Sequence, residues 1–148
     1  MKVWLWLLLG VLPGCASGPP EPVAIDTSND ACAYCRMIVS DPRVAAQIVA
    51  PREEARVFDD IGCLRDYLAQ HAMARDAIVF VADHRTGEWV QATHAIYTRS
   101  KEQRTPMASG ILAHGDGASR DADPAAAGGA DVAVSAILGG HAPAGDRR

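Results

Sequence analysis

The chain has 148 residues, 49% hydrophobic and 22% charged, with a formal net charge of −4. That length holds one small domain with a modest core. Acidic and basic residues are interspersed and form no basic stripe that would follow a phosphate backbone, so nucleic acid is not an expected partner.

Residues 1–14 differ from everything after them. Lys2 supplies a minimal positive start, residues 3–12 (VWLWLLLGVL) form an apolar run too short to span a bilayer, and the small residue Gly14 precedes Cys15. This is the pattern of an export signal. Leu12-Pro13-Gly14-Cys15 resembles a bacterial lipobox, whose cysteine becomes diacylated, with palmitate among its acyl chains, and N-terminal after cleavage. Pro13 departs from the commonest form, and an ordinary secretory signal with a stray cysteine is the alternative reading. Ala16 after the lipidated residue points to the outer membrane, with the protein facing the periplasm.

Residues 15–30 are rich in Pro, Ser and Asp, the composition of a flexible spacer behind the lipid anchor. Short β-prone runs follow at 38–39, 44–49 and 56–58, broken by Asp41-Pro42 and by Pro51-Arg52-Glu53-Glu54, which predicts a meander. Asp59-Asp60 offers a cap for a helix over 61–72, where Ile61, Leu64, Leu68 and Ala72 fall on one stripe. Residues 78–82 (IVFVA) read as a buried strand, 83–87 as a turn ending in Gly87, and 88–91 as the return strand. Residues 95–98 extend that sheet, and 106–110 (PMASG) turn the chain into 111–113. After His114 the sequence is Ala, Gly and Asp without an aromatic residue. The expected division is therefore a signal at 1–14, an anchor and linker at 15–30, a folded domain at 31–113, and a mostly disordered tail at 114–148 with a short strand or helix near 132–138.

With Cys15 lipidated, three thiols are left: Cys32, Cys35 and Cys63. An odd number in an exported chain leaves at least one unpaired, or all three held reduced by something they bind. A thioredoxin-type centre needs a helix starting at the C-x-x-C pair, and the sequence after Cys35 looks extended. A c-type haem needs His after the second cysteine, where Arg36 stands. A closed zinc site needs four ligands, with Cys63, His71, His84, His94 and His114 as irregularly spaced completers of the pair. A Cys32–Cys35 disulfide is the structural alternative. Met37 favours another reading. In an extended strand residues 35 and 37 share a side, so a thiolate and a thioether converge on one ion, and soft sulfur donors select Cu(I). Met107, in a turn where burial gains it little, and His94 are further candidate ligands. Cys63 is the third residue of the predicted helix, where the amide donors stabilise a thiolate.

The chain resembles the NosL family, the accessory lipoproteins of nitrous oxide reductase. The resemblance rests on the lipobox, on Cys35-Arg36-Met37, on residues 39–47 (VSDPRVAAQ), 58–63 (FDDIGC), 89–92 with 95–97, and 105–110 (TPMASG). It implies a small α+β fold of ββα-type units with one main helix. It also implies a non-enzymatic copper chaperone that binds Cu(I) in the periplasm and passes it to the machinery maturing a copper enzyme. Carried over, Cys35 and Met37 match the family's metal-binding C-x-M, and Met107 its Pro-Met turn. The third ligand is left open among Met107, Cys32, Cys63 and His94. A thiol-disulfide protein using the three cysteines and a zinc-stabilised interaction module are the competing readings. The family continues past the Pro-Met turn with a helix and a final strand, which the composition after His114 does not suggest.

Overall fold

The computed structural model of the protein describes residues 18–142. The expected export signal and the expected lipidation site, Cys15, lie outside the described residues. Among the described residues no helix is long and apolar enough to cross a membrane.

The architecture is α+β, built on two antiparallel sheets. Strands β1 (Ala46–Val49), β2 (Arg56–Phe58), β3 (Ile78–Ala82) and β4 (Trp89–Gln91) form the first, in the order β2-β1-β3-β4. Strands β5 (Ile96–Arg99), β6 (Ile111–His114) and β7 (Ala130–Val132) form the second, in the order β6-β5-β7. The central strands β1 and β3 are buried along nearly their whole length; β3 (IVFVA) therefore reads as a continuous apolar run, whereas β1 carries the buried Gln47 within it. The β3–β4 hairpin closes as expected, with Gly87 at φ 75° in the left-handed region the turn requires. Residues 96–99 do not extend the first sheet, however. They pair with β6 in the register Ile96↔His114 to Arg99↔Ile111 and so begin the second.

Helix α1 (Ile61–Leu68) is capped by the Asp60 carboxylate, which accepts the Gly62 N–H at 2.6 Å. It ends four residues before the expected boundary, because the amides of Gln70 and His71 both close on the Tyr67 carbonyl and tighten the last turn. Its apolar stripe, Ile61, Leu64 and Leu68, packs into a core shared with Phe58, Val81, Tyr97 and Ile111. Tyr97 is 1% exposed and donates its hydroxyl to the Ala92 carbonyl at 2.8 Å, so its polar end is satisfied inside that core.

Both flanks depart from the expected flexible segments. On the N-terminal side, the buried amide of Gln47 exchanges two hydrogen bonds with the Val23 backbone, at 2.9 and 3.1 Å, and Ile25 packs on Val39, Ala45 and Val57. The spacer is therefore tied down from Val23 onward. On the C-terminal side, residues expected to be mostly structureless form α2 (Gly117–Asp121), β7 and α3 (Val134–Leu138). The composition misled because the ordering devices are small. Asp116 and Asp123 cap short helical turns, accepting the Ser119 and Ala125 amides. At Gly129 a Cβ would meet Thr98 Cγ2 at 2.4 Å, so this glycine marks close approach to β5 and not slack. Ile137 and Leu138, each 1% exposed, complete the core against α1. The helix and final strand that the resemblance implies are thus present.

Candidate metal centre

Three side chains come together from two parts of the chain: the thiols of Cys32, Cys35 and Cys63, all free, have sulfurs within 4.8 Å of one another. Three sulfurs bound to one cation at about 2.3 Å lie roughly 4 Å apart, so the cluster is close to the spacing a metal needs.

Cys32 and Cys35 sit on a tight turn. The Arg36 N–H donates to the Cys32 carbonyl at 3.0 Å, the Cys32 N–H donates to the Met37 carbonyl at 2.8 Å, and an isolated bridge joins Ala31 to Ile38. Arg36 takes a left-handed conformation, φ 68°, to close it. This replaces the expected strand: 35 and 37 are not alternate residues of a pleat, and no helix follows Cys35. What couples Met37 to the cysteines is the turn, since its carbonyl receives the Cys32 amide and its own amide faces the Cys35 sulfur. The Ala33 N–H donates to the Val57 carbonyl and moors the turn to β2.

Cys63 reaches the cluster from the first turn of α1. Asp60 ties that turn to the Pro-Met loop. One carboxylate oxygen caps the helix, and the other accepts the Thr105 hydroxyl at 2.5 Å and the Met107 N–H at 3.0 Å. Gly62 lets the loop approach, for a Cβ there would meet Ser109 Cβ at 2.7 Å. Asp59 is not a cap. It is fully buried, accepts the Ser40 amide at 2.7 Å and the Ser40 hydroxyl at 3.2 Å, and leaves Oδ2 without a hydrogen-bond partner.

The electrostatics of the cluster are asymmetric. A hydrogen bond from the Cys63 thiol is the largest influence on Cys32; with help from the Asp59, Cys35 and Tyr34 amides it outweighs burial and holds Cys32 well below the ordinary thiol range. Cys63 is pushed up by acting as that donor, by burial and by the charge on Cys32. Burial and the neighbouring thiolate also raise Cys35. The expectation of a Cys63 thiolate at the helix N-terminus is therefore reversed: the charge rests on Cys32, where more donors converge.

Exposure grades across the site. Cys32 and Cys63 are 0% and 2% exposed and belong to the core, Cys35 is half-buried, and Met37 is 53% exposed. Met107 is 44% exposed, with its backbone fixed by Asp60. His94 is exposed in the turn between β4 and β5 and does not join the cysteines in a ligand cluster. His84 and His114, considered as completers of a zinc site, instead form a separate buried group with Asp123. Nothing in the sequence singled out Asp123, whose place among alanines and aspartates looked like a tail.

A two-sheet α+β domain with a solvent-edged cluster of three thiols is the framework of a soft-metal-binding protein. The NosL family model matches residues 22–138, and the chain belongs to the NosL family, a family of accessory copper-binding proteins. Neither the curated proteins nor the solved structures provide a match.

Proposed function

We propose that this protein carries Cu(I) at the cell envelope, held by Cys32, Cys35 and Cys63, and delivers it to the maturation of a periplasmic copper enzyme such as nitrous oxide reductase. The observation that carries the reading is the convergence of three free thiols within 4.8 Å in a member of the NosL family. Soft thiolates select Cu(I), and the exposed donors nearest in sequence and in hydrogen bonding are thioethers, which share that preference. Met37 and Met107 are the transfer arms: they bring no charge, they stand in solvent, and they are held by their backbones while their side chains are free to swing. A copper ion held by few ligands leaves by exchange, one sulfur at a time, onto an incoming client. The protein acts as a carrier and not as a catalyst. It is exported, lipidated at Cys15 and anchored at the outer membrane.

A thiol-disulfide role fits the geometry less well. Exchange needs an accessible thiolate, and here the low-pKa sulfur, Cys32, is sealed while the half-exposed one, Cys35, is raised. A structural zinc module would need a fourth strong ligand, and no histidine or carboxylate among the described residues joins the three thiols.

The test is competition between the reduced protein and a chromogenic Cu(I) chelator. We expect one Cu(I) per chain, held at least 100-fold more tightly than by the Cys35→Ser/Met37→Ala double variant. Equal affinity for the two proteins would overturn the reading.

A further inference from the structure

A second group of ligand-type side chains lies apart from the sulfurs. His84 follows β3, His114 ends β6, and Asp123 precedes the short helical turn at Pro124–Ala126. They are 6%, 0% and 6% exposed. Asp123 Oδ2 lies 2.6 Å from His84 Nδ1 and 2.9 Å from His114 Nε2, the two rings standing edge to face with centroids 6.4 Å apart. One donor atom from each residue falls within 4.8 Å of the others.

We propose that His84, His114 and Asp123 form a second metal site, free of sulfur, that takes a divalent cation of borderline hardness such as zinc(II) or copper(II). Two imidazoles and one carboxylate suit such ions and are a poor match for Cu(I). The spacing is near what coordination needs. Nitrogen and oxygen ligands bonded to zinc at about 2.0–2.2 Å lie roughly 3.3 Å apart, so opening the present contacts by less than an ångström admits the ion between them. The ligands are also oriented. The His84 N–H donates to the Ala113 carbonyl at 2.9 Å, which locks the His84 backbone to β6 beside His114, and Asp123 Oδ1 accepts the Ala125 N–H at 2.9 Å.

Two histidines and an aspartate, none more than 6% exposed, converge on one point of the interior, where unbound polar groups are costly. His84 Nε2 and His114 Nδ1, the ring nitrogens that do not face Asp123, are buried without a hydrogen-bond partner; they carry the ring protons when the facing nitrogens bind a cation. Asp83, next in the chain to His84, adds a second buried carboxylate nearby, already satisfied by Gly115, Ser119, Arg85 and Thr86, so it contributes charge without competing as a ligand.

The site joins the two sheets to the C-terminal segment, since Asp123 is the one ligand from beyond β6. Occupancy therefore pins residues 115–142 to the rest of the domain. It stands independently of the copper reading, because it shares no residue with the thiol cluster.

Cobalt(II) is the probe, titrated anaerobically into the full chain. A site of this composition gives d–d bands without sulfur-to-cobalt charge transfer, saturates at one equivalent, and is displaced by zinc(II) or copper(II). We expect His84→Gln and Asp123→Asn to weaken that component at least tenfold, and occupancy to slow cleavage of residues 115–142 by trypsin at least tenfold. Two outcomes on the unaltered protein overturn the proposal: cobalt absorption that is only of the thiolate type, or none beyond the hydrated ion. Full retention of the sulfur-free bands in folded His84→Gln overturns it as well.

Discussion

The carboxylate of Asp60 and the backbone amide of Met107, 47 residues apart, are joined by a 3.0 Å hydrogen bond, while the same carboxylate caps the helix that carries Cys63. One side chain thus sets the position of a thiol and of a thioether together. Asp60→Ala removes the cap and leaves the Thr105 hydroxyl and the Met107 amide without their acceptor. We expect a loss of about 2–4 kcal/mol in denaturant unfolding, together with weaker Cu(I) retention. Asp60→Asn, which keeps an oxygen for the cap, recovers part of the stability.

Gly62 is required by the close approach of the Pro-Met loop. Gly62→Ala places a methyl 2.7 Å from Ser109 Cβ, and overpacking of this kind costs about 1–3 kcal/mol. The Gly62→Ala/Ser109→Gly pair should recover much of that loss, because it removes the atom in collision. A double-mutant cycle in thermal unfolding measures the coupling, and simple additivity would show that the loop does not rest on the helix.

Alkylation should rank the thiols by exposure. Cys35 is half-buried, whereas Cys32 and Cys63 are 0% and 2% exposed. Iodoacetamide on the folded, metal-free protein should give a single early adduct at Cys35, located by peptide mass spectrometry, and one equivalent of Cu(I) should suppress it. Early labelling of Cys32 would mean that the buried thiolate is open to solvent and would favour thiol exchange.

Acid sensitivity should centre on Asp83. Burial opposes its ionisation, but donors from Gly115, Ser119, Thr86 and Arg85 together outweigh that and hold its carboxyl at about 2, below the ordinary 3.8. Between those values the unfolded chain binds more protons than the folded one, so stability rises with pH. The contribution is complete above about pH 4 and disappears as pH falls toward 2. It amounts to roughly 2 kcal/mol, and Asp83→Asn should remove most of that pH dependence from urea unfolding curves.

Much of the framework was legible in the residues. The Asp60 cap, the buried β3 run and the turn at Gly87 follow from local patterns that tertiary structure did not need to override. The three cysteines were legible as a set that one partner could hold reduced, but their geometry was not. Cys32 and Cys63 meet because α1 packs beside the Cys32–Met37 turn, and no spacing rule encodes that packing. Cys35 and Met37 do not alternate as residues of a strand because Arg36 between them has a positive φ, which no spacing pattern reveals. The C-terminal segment was misread because alanine and glycine suggest slack, whereas here they fit tight contacts such as Gly129 against Thr98. The His84–His114–Asp123 group was out of reach for the same reason: His84 and Asp123 are 39 residues apart, and Asp123 lies in that segment.

The most direct test of copper binding is X-ray absorption at the copper edge of the protein loaded with one equivalent of Cu(I). The account predicts a first shell of about three sulfurs near 2.3 Å, which loses one scatterer in Cys63→Ser although that residue lies 28 positions from Cys35 in the chain. A shell dominated by nitrogen or oxygen, or one unchanged in folded Cys63→Ser, would contradict it.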